Sequence, residues 1–410
     1  MSDWSLAIDF GTCFTSAAVR VEQAGTAASG AVASGVVVTA VEIENSRYLP
    51  SLVCLDDDDR LLTGRAAVQL AAQRPERAEL HPKRALLRQS AVLLDGGEVA
   101  TVELAAAVLA RAADEARAQR GGTEPARTVL THPADWSPGD LDRLVEAARL
   151  AGLDAPELLP EPVAAARFHA AEVQAEGAGP IAVYDLGGGT VDTAVLRREG
   201  AGFRAVAVAG DPDFGGRDLD QALFELLRDR ALDLDPEPWQ RLWADRTPTS
   251  THQRAQLARE LTLAKESLSS TGTVYLAVPG YPEPFVVQGG EYRAAVAPAL
   301  TASIELLERT VSRAGLTPAE LGAVVLCGAA SRTPPVADLV ATRLGRIPDL
   351  AADPKAAVAL GALTDPPAPA GADTGTDAGE EAAQEAASAD GPRRWTVAHY
   401  PDEVDPELWF

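Results

Sequence analysis

Lysine is almost missing from this chain. Only Lys83, Lys265 and Lys355 occur in 410 residues, while alanine and arginine are abundant, a pattern that reads as coding bias and hints at a bacterial source. Positive charge as a whole is scarce, with 36 lysines and arginines against 60 aspartates and glutamates and a formal charge of −24. That balance argues against nucleic acid, whose phosphates need a basic surface, and against an anionic membrane surface. Cysteine is scarce too: Cys13, Cys54 and Cys327 are odd in number and widely scattered. They offer neither a disulfide framework nor a zinc spacing, which suits a reducing cytoplasm. No apolar run reaches transmembrane length. The first strand is expected almost at Met1, which leaves no room for a signal peptide. A chain 46% hydrophobic and this long can bury a large core and should hold two lobes.

What is present is a glycine loop used twice. Val183–Leu196 reads VYDLGGGTVDTAVL: an apolar run, Asp185, Gly187, Gly188, Gly189, Thr190, Asp192, then alternation again. This predicts two strands joined by a tight turn, unlike the P-loop or the Rossmann turn, where glycines open a helix. Glycines let backbone N–H groups approach a phosphate. Asp185 and Asp192 would repel a bare phosphate and make sense beside a divalent cation. Leu6–Val19, LAIDFGTCFTSAAV, repeats the grammar with Asp9, Gly11, Thr12 and Thr15. Two such hairpins far apart in sequence suggest two similar lobes facing one cleft. Cys13 lies in the first loop, where a thiol is open to oxidation, although a small space-filling residue is the simpler reading.

With these loops and five further segments in order, the chain resembles the Hsp70 family, within the actin/hexokinase/Hsp70 ATPase superfamily. Leu158–Ala166 is similar to the first crossing helix and Asp353–Gly361 to the second. Gly210–Asp220 resembles the loop that begins upper lobe II, Leu263–Ser269 the helix that reaches the nucleoside, and Val325–Pro334 the adenosine motif. The resemblance runs from residue 4 to about residue 364. It implies an α/β, two-lobed actin-like ATPase fold of duplicated ribonuclease H-like domains. Residues 1–180 form lobe I, with an upper part at about 41–103. Residues 181–364 form lobe II, with an upper part at about 211–296 and a crossing helix at about 353–363.

The resemblance also implies ATP or ADP with Mg²⁺ as ligands. Gly11, Thr12, Cys13, Phe14, Gly187, Gly188, Gly189 and Thr190 would cradle the phosphates. Asp9 and Asp185 would hold the metal through its waters. Glu161, Asp185, Thr190 and Asp192 would form the catalytic set, with Glu161 and Asp192 orienting water. Lys265 would reach the ribose, and Gly328, Ala329 and Arg332 would line the adenine pocket. At Gly64–Val68 the resemblance expects a catalytic lysine where Val68 stands, so hydrolysis is expected to be slow or impaired. Glu266 replaces an adenine-side arginine, and Ala329 and Ala330 replace a glycine and a serine. The resemblance ends at about residue 364, and no peptide-binding domain is expected in the residues after it.

The expected function is therefore an Hsp70-like ATP-binding protein, cytoplasmic, whose nucleotide state regulates a protein partner. The alternatives are a dead scaffold, a small-molecule kinase of the same superfamily, or an actin-like filament. Beyond Leu363 the composition predicts a disordered acidic tail, with a linker over 365–394. Over 395–410 aromatic residues return, and the segment is expected either to dock on a partner or to fold back on the ATPase body.

Along the chain, Gly64–Leu94 is expected to be mostly helical. Helices are expected over Val102–Arg120, Ser137–Leu150, Leu219–Leu232, Ser250–Leu268 and Pro298–Ala314.

Overall fold

A computed structural model describes residues 4–26, 32–172, 179–200, 202–268 and 271–365. The expected linker and docking peptide therefore lie outside the described residues, apart from Asp365. The chain is mixed α/β, built around two five-membered strand sets with the same pairing pattern. In the first, the order is Glu157–Pro160, Arg127–His132, Trp4–Asp9, Phe14–Thr26, Val32–Ala40. In the second, it is Asp349–Leu350, Ala323–Cys327, Ile181–Leu186, Val191–Glu199, Gly202–Asp211. Each central strand pairs antiparallel with the strand that follows it in sequence and parallel with a strand supplied from much later.

Register makes the likeness closer. Asp9 sits opposite Ser16 across the first hairpin, and Asp185 sits opposite Asp192 across the second. The two expected metal-side aspartates thus occupy equivalent ends of equivalent strands.

Two short helices join the halves. Glu161–Glu172 and Ala357–Ala362 pack on one another through Ala164, Ala165, Ala359 and Ala362, all buried. Their backbones approach so closely that a Cβ on Gly361 would lie 2.0 Å from the Ala164 carbonyl oxygen. Only small side chains allow that approach, which explains the alanine richness here without appeal to helix propensity alone. The crossing helices are shorter or later than expected, since Glu157–Pro160 is a strand and Asp353–Ala356 is an irregular link.

Several other elements match the sequence pattern. Ser137 caps Pro138–Leu150 through a reciprocal box with Asp140. Three do not. Ala91–Leu94, at the end of the segment expected to be mostly helical, is instead a strand that forms a hairpin with Gly97–Ala100. Its turn, Asp95-Gly96, has both φ angles positive, at 50° and 81°. Asp-Gly is the turn chemistry for a two-residue hairpin, so the signal was present but unread. Pro236–Ala244 is an additional helix, capped by the Asp235 carboxylate and packed through Trp239 and Trp243 on Phe224. The helix expected from Pro298 begins earlier and spans Gly289–Arg313, with the proline inside it. No helix among the described residues is long and apolar enough to cross a membrane.

Candidate functional site

The first hairpin loop is fixed from behind. Ser51, fully buried, donates from Oγ to the Gly11 carbonyl at 2.8 Å. Its N–H donates to the Cys13 carbonyl at 2.9 Å, and its Oγ also meets the Thr15 hydroxyl at 2.9 Å. A trans peptide points its N–H opposite the preceding carbonyl. Tying these carbonyls down therefore turns the amides of Thr12 and Phe14 away from Ser51. Gly11 has no room for a side chain, because a Cβ would lie 2.2 Å from the Phe14 carbonyl oxygen.

The second loop is fixed in the same manner by other residues. The carbonyls of Gly187 and Gly188 accept from the N–H groups of Gly216 and Arg217, each at 2.9 Å. The Gly189 carbonyl accepts from Arg84 Nη2 at 2.7 Å. The amides of Gly188, Gly189 and Thr190 consequently point away from these partners. The two loops meet: a Cβ on Gly188 would lie 2.3 Å from Cys13 Sγ, and one on Gly189 would lie 3.1 Å from the Thr12 methyl. Burial pushes the Cys13 thiol up, against the nearby charges of Arg217 and Lys265. A protonated, packed thiol fits the space-filling reading better than the oxidation-sensitive one.

Carboxylates gather where the hairpins converge. Asp9, Asp185 and Asp192 are half-buried by exposed surface but sit deep in protein. Burial, followed by the charge of Glu161, pushes both Asp9 and Asp185 up to about 7. Asp192 is raised well above its ordinary value by burial, then by Glu161, Asp135 and Asp185. Hydrogen bonds oppose this: Thr131 Oγ1 donates to Asp9 Oδ1 at 2.9 Å, and the Cys327 thiol acts on Asp185 in the same sense. Gly328, with φ of 79°, packs against Asp185, and a Cβ there would come within 2.3 Å of its Oδ1.

One cation enters this group, and it corrects the sequence reading. Lys83 Nζ donates to Glu161 Oε1 at 2.8 Å, with both side chains only 10% exposed. The ammonium also lies 5.4 Å from the centre of the Trp136 ring. Burial alone would lower the Lys83 pKa, but Glu161 and Asp9 outweigh it and the net shift is upward. Val68, at the position where a lysine was expected, belongs to helix Gly64–Ala71, which packs on strand Val53–Leu55. The site does contain a lysine. It arrives from the short helix Pro82–Arg88, 78 residues before its partner.

Other residues that the sequence reading missed are Asp135, Trp136, Thr131, Ser51, Arg84 and Arg217. Arg84 also donates to the Pro212 carbonyl at 2.8 Å, and Arg88 pairs with Asp213 at 2.6 Å, so this helix stitches the two halves. Arg217 Nη1 meets His81 Nε2 at 2.6 Å. Burial, then Arg217 and Arg84, push His81 down to about 3, which leaves it neutral.

The negative charge exceeds the positive in this buried cluster, which is the condition under which a divalent cation is welcome. Among the described residues, no three acidic, histidine or cysteine side chains come close enough to ligate one ion directly. A small cavity of about 10 Å³ is lined by Asp135, Glu161, Asp185 and Asp192 among others, the space of about one water.

The residues expected at the nucleoside end are less united. Lys265 Nζ pairs with Asp220 at 2.8 Å and donates to the Gly216 carbonyl at 2.9 Å, so it is engaged within its own half. Ala329 begins and Arg332 ends a single 3-10 turn after Gly328, and Arg332 is exposed.

Comparison with known proteins shows which family the chain resembles over most of its length. The Hsp70 protein family model matches residues 87–371. A chaperone protein HscA homolog of Azotobacter vinelandii is 34% identical over 354 residues, covering 80% of this chain and 54% of that protein. Chaperone protein HscA of Pectobacterium carotovorum is 34% identical over 266 residues, covering 65% and 40%. An HscA homolog of Acidithiobacillus ferrooxidans is 33% identical over 288 residues, covering 69% and 43%. The chain spans about half or less of the length of these relatives. The duplicated hairpin sheets, the crossing helices and a family match over most of the chain lead to one conclusion: this protein belongs to the Hsp70 family.

Proposed function

We propose that this chain is an Mg²⁺-dependent, ATP-binding and ATP-hydrolysing module in which two ribonuclease H-like lobes close on the nucleotide, and that its nucleotide state governs a partner protein. The observation that carries the reading is the buried Lys83–Glu161 pair, set among Asp9, Asp185 and Asp192 between two loops whose amides are free to meet phosphate. Asp9 and Asp185 would hold Mg²⁺ through its waters. The ion would neutralise phosphate charge. Thr12, Thr190 and the loop amides would bind phosphate oxygens, and Lys83 would stabilise charge on the terminal phosphoryl group. Glu161, fixed by Lys83, and Asp192 would orient the attacking water. Positioning and charge stabilisation of this kind suffice for phosphoryl transfer.

The expectation of impaired hydrolysis rested on Val68, and Lys83 removes that ground. A second reading is a scaffold that binds nucleotide without turning it over.

One experiment separates the two readings. Mg²⁺–ATP should raise the melting temperature by binding linkage. Lys83→Met should keep that binding and lose roughly a hundredfold to a thousandfold in single-turnover hydrolysis. No thermal shift at millimolar nucleotide would sink both readings. A shift with no turnover in the unaltered protein would leave only the scaffold. The HscA relatives are named as chaperones, and the partner of this chain is accordingly proposed to be a protein that co-purifies differently with the ATP and ADP states.

A further inference from the structure

The third lysine has no part in the chemistry above. Lys355 lies in the link Asp353–Ala356 that leads into the second crossing helix. Its Nζ sits 4.9 Å from the centre of the Phe14 ring and 5.1 Å from that of Tyr48, both in the first half. The same ammonium is 3.7 Å from Glu266 Oε1, on helix Pro248–Leu268 of the second half. One cation therefore touches both sides of the cleft at once.

The link is anchored so that the contact has a defined place. Ser16 Oγ donates to the Lys355 carbonyl at 3.3 Å, and the Gly328 N–H donates to the Pro354 carbonyl at 3.2 Å. The Tyr48 hydroxyl donates to Asp353 Oδ1 at 2.5 Å, and Arg47 reaches Asp353 Oδ2 at 3.4 Å. Ser16 follows the first loop, and Gly328 packs against Asp185 of the second. Both hairpins thus feel the position of this link. The arrangement also accounts for an oddity, the 44% exposure of the Phe14 ring at the lip of a phosphate loop. The ring is half of a platform for a cation that is itself only 21% exposed.

We propose that Lys355 is the pin of a latch across the mouth of the cleft, a positioning residue that holds the halves together and sets how long a nucleotide stays bound. The proposal rests on the nucleotide-binding reading above. Cation–π contact holds the pin to the first half at all times. The Glu266 pair, more than half exposed on its acidic side, is the part that opens. Release then requires breaking a weak, solvent-accessible ion pair instead of unpacking a core.

The test is the release rate of a fluorescent ADP analogue, with Mg²⁺, from the full chain. Lys355→Met should accelerate release by about threefold to thirtyfold, the span expected for losing partly desolvated cation–π contact. Glu266→Gln should accelerate it by roughly threefold or less, as a partly exposed ion pair allows. The double variant should add little to Lys355→Met, because both changes break the same contact. Single-turnover hydrolysis by Lys355→Met should stay within about twofold, since the pin does not touch the reacting group. Unchanged release from Lys355→Met, with ADP still bound, would overturn the latch and leave the nucleotide reading standing. Failure of the unaltered protein to bind ADP would overturn both. If Lys355→Met does not fold, Lys355→Gln, which keeps a polar head but loses the cation, decides the matter by the same release measurement: acceleration supports the pin, and unchanged release overturns it.

Discussion

The two hairpin loops occupy equivalent places in equivalent sheets, yet they are built for different work. In the first, one carboxylate, Asp9, faces Ser16 across the hairpin and accepts from the Thr131 hydroxyl on the neighbouring parallel strand. In the second, Asp185 faces another carboxylate, Asp192, and its parallel neighbour is the Cys327 thiol. Hydroxyls against the first carboxylate and acids or a thiol against the second concentrate negative charge in the second half. The compensating cation, Lys83, comes from the first half and reaches Glu161 on the crossing helix. A symmetric scaffold thus carries an asymmetric charge set, and assembling the site needs both halves in place.

The means of holding each loop differ as well, and this gives the largest expected effect. The second loop rests mainly on backbone, the Arg84 side chain holding only the Gly189 carbonyl: a Cβ on Gly215 would lie 2.5–2.6 Å from Gly189 N, C and Cα. Backbone cannot yield as a side chain can, so Gly215→Ala should lower the melting temperature by roughly 5 °C or more. It should also weaken ATP binding by more than about tenfold, because the amides of Gly188 and Gly189 move with the clash. Calorimetric titration with Mg²⁺–ATP checks this, and wild-type affinity in that variant would mean the loop amides do not bind phosphate.

The first loop rests on a side chain. Ser51→Ala removes the hydroxyl that donates to Gly11 and meets Thr15, but keeps the N–H that holds Cys13. The expected cost is about 1–3 kcal/mol from the buried groups left without a partner, with a smaller loss of ATP affinity than Gly215→Ala causes. Denaturant unfolding and the same titration read both quantities. Equal losses from the two variants would erase the distinction between a backbone-held and a side-chain-held loop.

Much of this plan was legible in the sequence. Asp-x-Gly with a threonine at the end of the glycine turn, between alternating strands, marked both hairpins, a local signal set by turn chemistry and strand period. The crossing helix that carries Glu161 was legible only through the likeness of Leu158–Ala166 to the family. Lys83 was not legible in that way. It lies on a seven-residue helix, too short for periodicity to orient, and its meaning comes from a partner 78 positions away. Placing the lysine by a local motif led to Val68. The useful signal was compositional: in a chain with three lysines, each is worth tracing to a partner, and all three prove to be engaged. Ser51 and Thr131 were missed for a related reason, since a buried hydroxyl looks the same in sequence whether it holds a loop or only fills a strand.

The smallest expected effect tests the charge asymmetry itself. Burial and Glu161 hold Asp185 at about 7 in the folded chain, against an ordinary value of 3.8. A carboxyl raised on folding keeps its proton more tightly in the folded state. Its contribution to stability is therefore fully present below about pH 4 and is lost as pH rises through about 7. Without nucleotide or Mg²⁺, this group should make the protein less stable at pH 8 than at pH 5. Cys327→Ser replaces a weak thiol donor by a hydroxyl, giving Asp185 the kind of partner Thr131 gives Asp9. A stronger donor favours the carboxylate, lowers the folded pKa and shrinks the loss. The variant should accordingly narrow the difference in melting temperature between pH 5 and pH 8 by on the order of 1–2 °C relative to the unaltered protein. A wider gap would mean that the thiol is not what limits Asp185, and that the two carboxylates differ through Asp192 alone.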